Sequence, residues 1–258
     1  MNFSKPSSLA KGLYILSQFT AENSEWGVRE LAEHLGYPRS TVQTLMKTLA
    51  ESGFLLQLES RRYRLGWRAF ELAGHFLAQL DVRKVAIPYL QKLADTLGEV
   101  VHLGVLDGMD VIYLEKVEGK SAIPLITRLG LRYPAHATAI GKSLLAFQKK
   151  DASIPAALPP LTEHTHQRAE SLIAELTEIR KTMLSYDREE SFIGLSCVAA
   201  PIFDYTGKNV AGISVSVPTV RFTRDKERMA RLVLETAKDI SKELGYHPKM
   251  SVTFRKSV

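Results

Sequence analysis

The stretch Val28-Arg-Glu-Leu-Ala-Glu-His-Leu-Gly-Tyr-Pro-Arg-Ser-Thr-Val-Gln-Thr-Leu45 decides the fold of the first part of the chain. Apolar residues at helical spacing predict one helix over residues 28–35 and a second one over about 39–52. Gly36, between them, accepts the left-handed backbone conformation that a tight turn needs. Two helices that cross steeply also need a small residue at their contact, which Ala32 supplies. The pattern is typical of a helix-turn-helix.

The flanking segments extend this motif to a winged helix. Ser7 and Ser8 are N-cap candidates for a preceding helix that runs to about Thr20. The apolar face of this helix is predicted to consist of Leu9, Leu13, Leu16 and Phe19. After the second helix, residues 54–58 and 62–65 predict two short strands around a basic turn. An ordinary helical hairpin is the alternative, but the preceding helix and the basic hairpin favour the winged helix.

Polar side chains at the start of the second helix indicate contact with DNA. The N-terminal part of a recognition helix enters the major groove, where Arg39 and Gln43 can each make two hydrogen bonds to one base. Ser40, Thr41 and Lys47 are better suited to phosphates, as is Arg29 on the preceding helix. The arginines of the wing either contact DNA or form a solvated hairpin tip. The complete predicted DNA-binding set is Arg29, Arg39, Ser40, Thr41, Gln43, Thr44, Lys47, Arg61, Arg62 and Arg64.

Composition and charge fit a two-domain globular protein with a polyanionic partner. The chain has 258 residues, of which 45% are hydrophobic and 24% charged, more than one domain usually contains. Its net charge is +6, and residues 1–68 hold nine Lys or Arg against six Glu. A single cysteine excludes an internal disulfide and fits a reducing compartment. With no signal-peptide pattern and no long apolar run, we expect a cytoplasmic protein with no membrane partner.

Beyond the wing, the pattern changes to an α+β arrangement. A helix over residues 67–80 is predicted to link the two parts, and a second helix follows over 82–97. The linker helix offers apolar surface to a partner subunit through Phe70, Leu72, Ala73, Phe76, Leu77 and Leu80. Turn sequences around residues 107–110 and 204–207 predict two hairpins. The further predicted elements are a strand near 122–127 and helices near 137–149, 168–184 and 224–244. Hairpins flanked by helices predict an antiparallel sheet.

The chain resembles the IclR (isocitrate lyase regulator) family of bacterial transcription factors. The resemblance lies in residues 31–42, in 128–146 with its run Ala137-Thr-Ala-Ile-Gly-Lys-Ser-Leu-Leu-Ala146, and in 187–204, continued by 210–216. It implies a winged helix-turn-helix joined by a linker helix to a GAF-like effector domain with a curved antiparallel sheet. It also implies homodimers or dimers of dimers bound to a double-stranded operator.

The resemblance and the residue pattern together define three segments. They are a DNA-binding domain over residues 1–66, a linker helix over 67–81 and an effector-binding and oligomerisation domain over 82–248.

The resemblance further implies an effector site in the second domain. In the family, the positions that match Ala139, Ile140, Asp187, Leu195, Cys197, Ser214 and Ser216 line this site. Spacing of two residues on a strand agrees, because it puts each of the last two pairs on one face. The helix that begins near residue 137 would present free amides up to Gly141, which suit an anion. A small organic acid is therefore the simplest effector, and Asp187 could accept a hydrogen bond from its hydroxyl group.

Two features of this region bear on the shape of the site. Met183-Leu184 stands where the family commonly has Gly-Tyr, which predicts a more apolar rim. Ile140 predicts a narrow cavity. Small residues chosen only for the packing of helix against sheet are the alternative to a ligand site.

Other functional classes have weaker signals. Cys197 could be a nucleophile with His136 or His102 as its base, but its apolar strand favours a buried structural thiol. Glu163, His164 and His166 could suggest zinc, but they lie in one loop without a second cluster. We expect no enzyme, no catalytic residue, no cofactor and no metal. A second domain that serves assembly alone also remains possible.

Overall fold

The computed structural model describes residues 7–78, 81–148 and 154–247, with side chains of 76–81 outside the described part. The chain divides into two compact units, Met1–Leu80 and Asp81–Val258. Each unit has its own core. Within the described ranges, no helix is both long enough and apolar enough to cross a membrane.

The first unit is a helix-turn-helix followed by a two-stranded wing. Its elements are α1 (Ser8–Leu16), α2 (Val28–Leu35), α3 (Arg39–Glu51), β1 (Leu55–Gln57), β2 (Tyr63–Leu65) and α4 (Trp67–Ala78). The Ser7 hydroxyl accepts a hydrogen bond from the Ala10 amide and caps α1. Gly36 ends α2 with a φ of 65°, as the sequence predicts. Strands β1 and β2 are antiparallel, and Trp26 adds a bridge to Tyr63.

The core of this unit contains apolar residues of α1, α2 and α3. Leu31, Val42 and Met46 are fully buried. The predicted core face of α1 is wrong in part, because Leu9 and Leu13 are 74% and 58% exposed. The helix is apolar on two faces, and the face that carries Ile15 packs into the core.

The second unit is a six-stranded antiparallel sheet with helices on both faces. Its elements are α5 (Asp81–Leu97), β3 (Val100–Asp107), β4 (Asp110–Glu118), β5 (Arg132–Pro134), α6 (Ala139–Leu145), α7 (Ala169–Thr182), β6 (Ser185–Arg188), β7 (Leu195–Phe203), β8 (Asn209–Pro218) and α8 (Thr219–Glu243). The strand order is β5-β4-β3-β8-β7-β6. Helices α5 and α8 pack together on the sheet, and α6 covers the other face. Register shifts at Leu103/Gly104 and Ile202/Phe203 are bulges, which increase the curl of a sheet.

Three strand predictions differ from the structure. Residues 122–127 form a loop, because Pro124 lacks the amide hydrogen that a ladder needs. This loop is held by the Lys116 ammonium, which donates to the Leu125 carbonyl at 2.9 Å. The short edge strands β5 and β6 were not predicted, since three or four residues with polar side chains carry little strand signal.

Candidate functional site

Helix α3 presents a polar edge to solvent. It buries Val42 and Met46 on one side. The exposed residues on the other side include Arg39, Ser40, Gln43, Thr44 and Lys47, whereas Thr41 is half-buried. The helical period therefore separates the predicted DNA contacts from the core, as a recognition helix requires.

The wing and the start of α2 complete a concave, largely polar surface beside α3. Arg29, Arg39, Gln43 and Arg61 line this concavity, and Arg64 is exposed nearby on β2. Arg29 pairs with Glu33 at 2.9 Å and Lys47 with Glu51 at 3.7 Å, all on exposed side chains. Such surface pairs are weak. Both cations can exchange their carboxylate for a phosphate.

Arg62 has a structural role that the sequence did not reveal. Its guanidinium donates to the Glu25 carbonyl at 2.7 Å and pairs with the Glu30 carboxylate at 2.9 Å. These contacts tie the wing to the start of α2. Arg62 therefore positions the wing, and it also lines the same concavity as Arg29 and Arg39, so its contact with DNA stays a prediction.

In the second unit, a small cavity lies between the start of α6 and the sheet. Seven of the eight predicted effector residues line it, namely Ala139, Ile140, Asp187, Leu195, Cys197, Ser214 and Ser216. Gly141 is the exception, because its amide donates to the Thr138 hydroxyl at 3.0 Å and does not face the cavity. A Cβ at Gly141 would lie 2.2 Å from the Ala135 carbonyl oxygen, so this glycine allows helix and preceding turn to touch.

Sequence reasoning named His102 of β3 only as a possible base for Cys197 and missed it as a residue that lines this cavity. Its Nε2 forms a 2.7 Å hydrogen bond with the Thr127 hydroxyl, and its ring lies 4.9 Å from that of Tyr113. Burial, together with the nearby Lys116 charge, lowers the pKa of His102 to about 3, so the imidazole is neutral. The missing signal was the register, which pairs His102 with Ser214 across β3 and β8. The other lining residues that were missed are Tyr113, Leu125, Ile126, Thr127, Tyr133, Thr138, Ser191 and Phe192.

Cys197 lies in the wall of the cavity as a protonated thiol. Its sulfur donates to the Ser216 hydroxyl at 3.2 Å. Burial raises the pKa of the thiol well above its ordinary value, and the Asp187 charge adds to this. A nucleophilic cysteine needs the opposite shift, and His102, with its low pKa, is a poor base. The chemistry of Cys197 fits a structural or ligand-facing thiol.

Asp187 closes a turn at one end of the cavity. Its carboxylate accepts hydrogen bonds from the Ser191 hydroxyl and from the Glu190 amide, the latter at 2.7 Å. Burial raises the pKa of Asp187 to about 6, and the Glu190 charge contributes, although the Ser191 hydrogen bond opposes the shift. Its charge state therefore changes just below neutral pH.

The rim of the cavity is apolar, and the cavity is small. Leu125, Ile126 and Phe192 line it, and the cavity volume is about 40 Å³. That space holds a few water molecules, so a metabolite needs the lining side chains to move apart. Ile140 lines the cavity as expected, but the rim prediction for Met183-Leu184 is wrong. Neither residue belongs to the cavity lining, and Met183 lies on another concavity.

A buried charge cluster supports the turn behind Asp187. The Lys142 ammonium is fully buried and lies 2.6 Å from both Glu190 oxygens and 2.9 Å from Glu175. His166 joins the cluster through Glu175 at 2.6 Å. The spacing of Glu175, Glu190 and His166 would suit a metal ion. The Lys142 ammonium group, however, already provides the positive charge that balances the two carboxylates. His166 thus pairs with Glu175 and not with the loop residues Glu163 and His164.

Comparison with known proteins decides the family. The model described as IclR helix-turn-helix domain matches residues 8–59, and that of the bacterial transcriptional regulator IclR C-terminal domain matches residues 74–242. The chain belongs to the IclR family. Its members are transcriptional regulators and not enzymes, as the sequence predicts. This IclR-type chain therefore combines a DNA-binding helix-turn-helix with an effector-binding domain.

Individual relatives agree along almost the whole chain. The HTH-type transcriptional regulator KdgR of Dickeya chrysanthemi is 34% identical over 247 residues, which cover 93% of this chain and 81% of that protein. The crystal structure of the Thermotoga maritima IclR has a TM-score of 0.75 and 35% identity, with coverage of 93% and 99%.

A third neighbour supports the fold. An IclR homologue from Microbacterium hydrocarbonoxydans, complexed with 4-hydroxybenzoate, has a TM-score of 0.82 at 24% identity, with coverage of 92% and 99%. At this identity the match concerns the fold. The curled antiparallel sheet of the IclR effector domain is thus present in this chain.

Proposed function

We propose that this IclR-family regulator binds a specific operator and changes its affinity for it when a small organic acid occupies the cavity beside α6. The main support for this proposal is that seven residues from four separate segments of the sequence line one cavity. In this proposal residues 1–66 read DNA, 67–81 link the units, and 82–248 bind the effector and assemble the oligomer. The protein acts in the cytoplasm, where its operator lies.

The DNA contacts follow from the exposed edge of α3. Arg39 and Gln43 read bases, because both are exposed and both can form paired hydrogen bonds. Phosphates are contacted by Arg29, Ser40, Thr41, Thr44 and Lys47 and by the wing arginines Arg61 and Arg64. Arg61 lies in the turn between β1 and β2 and is therefore a charged residue at the tip of the wing. Its φ is 64°.

The acid is held by hydrogen bonds and not by an ion pair. The described lining residues include no lysine and no arginine. The first amides of α6, at Ala139 and Ile140, have no carbonyl partner within the helix. Hydroxyl groups of Ser214 and Ser216 add donors. Neutral His102 serves as donor or acceptor, and a carboxyl oxygen of Asp187 accepts from a hydroxyl group of the ligand.

In the oligomer that residues 82–248 assemble, exposed apolar side chains of the first unit add a second contact between two copies of the chain. Leu9 and Leu13 of α1 and Trp67 and Phe70 of α4 are all more than half exposed. Large apolar side chains in such numbers are typical of an interface. A dimer places two recognition helices on a palindromic operator.

Protection of Cys197 tests the ligand site directly, because this residue is the single cysteine of the chain. We expect one acid in a panel of small organic acids to raise the melting temperature and to slow labelling of Cys197 by a thiol reagent. Ser214→Val should abolish both effects. If no acid protects Cys197, or if protection survives Ser214→Val, the cavity is not the effector site.

The affinity for this acid should depend on pH through Asp187. The raised pKa means that Asp187 is neutral below about 6 and repels a carboxylate above that value. We expect the affinity to fall by about tenfold between about pH 5 and pH 7.5. Asp187→Asn should remove this dependence in a titration by calorimetry. A slope that persists in Asp187→Asn would assign it to another group.

A further inference from the structure

A second concavity of the effector domain lies apart from the cavity beside α6. It is formed by the C-terminal half of α8, the end of β7 and the turn between α7 and β6. Its volume is about 350 Å³, compared with about 40 Å³ for the first cavity. Ligand sites of proteins usually measure about 300–1,000 Å³. This groove is therefore already of ligand size.

Aromatic and aliphatic side chains form the walls of the groove. The rings of Phe203 and Tyr246 are stacked with their centroids 5.1 Å apart, and Leu234 and Met183 line the same space. Phe203 is buried and also packs against Phe147, so the half-buried ring of Tyr246 offers the open aromatic surface, on which another planar ring packs well.

Met183 reaches this groove through an unusual backbone conformation. It is the C-cap of α7 with a φ of 60°, a position that glycine normally takes because a side chain is strained there. Its side chain is half-buried and contributes to the apolar wall. The chain keeps a strained residue with a large apolar side chain where glycine would fit without strain.

The edge of the groove is cationic. Lys238 and Lys242 lie one turn apart on α8 and are both exposed. Within the described part of the chain, neither ammonium group has a carboxylate at ion-pair distance. Asp239 is the one acidic residue among the described lining residues. An apolar wall beside two unpaired lysines suits a planar apolar group that carries a negative charge.

We propose that this groove is a second ligand site, for small aromatic anions with a carboxylate or sulfonate group. The ring of the ligand packs on Tyr246, which Phe203 supports from behind, and its anionic group lies near Lys238 and Lys242. The site is independent of the cavity that contains Cys197, so both can be occupied together.

The fluorescent dye 8-anilinonaphthalene-1-sulfonate, an aromatic anion, tests the groove in the full chain. We expect saturable binding, and Lys238→Glu and Lys242→Glu should each weaken it by about tenfold. Lys120→Glu, on an exposed lysine outside the groove, should leave the affinity unchanged. The uncharged analogue N-phenyl-1-naphthylamine should bind about tenfold more weakly than the dye.

Three results would overturn the proposal. One is a missing charge effect: both Lys238→Glu and Lys242→Glu leave the affinity for the dye unchanged, or the uncharged analogue binds as tightly as the dye. Another is loss of dye binding in Ser214→Val, which would place the dye in the first cavity. The third is dye binding to a chain shortened to end at His247 but not to the full chain. The residues after His247 would then be the ligand of the groove in the full chain.

Discussion

Lys142→Met is expected to lower the free energy of unfolding of the effector domain by about 3–5 kcal/mol. The ammonium group is fully buried and lies within 3.1 Å of both carboxylate oxygens of Glu175 and of Glu190. A methionine fills the space but leaves two carboxylates without their cation. Burial raises the pKa of Glu175, but the His166 hydrogen bond and the Lys142 ammonium outweigh it and lower the pKa to about 2, so this carboxylate is charged in the native cluster.

Urea unfolding of the variant and of Lys181→Met measures this loss. Lys181 pairs with Glu178 on the surface, with both side chains 65% exposed, and its removal should cost about 0–1 kcal/mol. Lys142→Met with Glu190→Gln should be more stable than Lys142→Met alone, because one uncompensated charge is removed. A Lys142→Met protein as stable as Lys181→Met would show that the cluster adds nothing to the fold.

The same substitution should also affect the ligand cavity. Lys142 holds Glu190, whose amide donates to Asp187 in the cavity wall. Loss of the cation therefore loosens the turn that closes one end of the cavity. Faster labelling of Cys197 in Lys142→Met than in Lys181→Met, at a temperature where both are folded, is the readout.

Arg39→Ala and Gln43→Ala are each expected to cost about 1–3 kcal/mol of binding to the specific operator. Both side chains are exposed on the polar edge of α3, and each can contact one base with two hydrogen bonds. Affinity for random duplex DNA should change little, because non-specific binding depends on phosphates. Fluorescence anisotropy with a duplex from the upstream region of the gene and with a shuffled duplex separates the two.

Lys47→Ala is the matched control on the same helix. It should weaken binding to both duplexes alike and reduce the slope of log affinity against log salt concentration by about one. Equal losses on both duplexes for Arg39→Ala would move Arg39 to the phosphate contacts.

The sequence predicted the elements that depend on local patterns. Gly36 and the apolar period of α2 and α3 define the helix-turn-helix within about one residue. The α+β class and the two main hairpins followed from turn sequences and strand spacing. Seven cavity residues followed from the family resemblance.

Other features depend on contacts that are distant in the sequence. His102 faces the cavity because β3 lies beside β8, and no local pattern reveals this register. Arg62 contacts Glu25, which lies 37 residues earlier, so its structural role could not be read from the local sequence. The Lys142 cluster joins α6, α7 and the turn after β6, and it became visible only when these elements were placed together.

The coupling between cavity and operator is tested most directly by measuring the affinity for the protecting acid twice, on free protein and on operator-bound protein. The account predicts a difference of about 5- to 150-fold between the two dissociation constants. The acid should change operator affinity by the same factor, since the linkage is reciprocal. Equal affinities for free and operator-bound protein would contradict the account, because such a ligand cannot shift the binding of DNA.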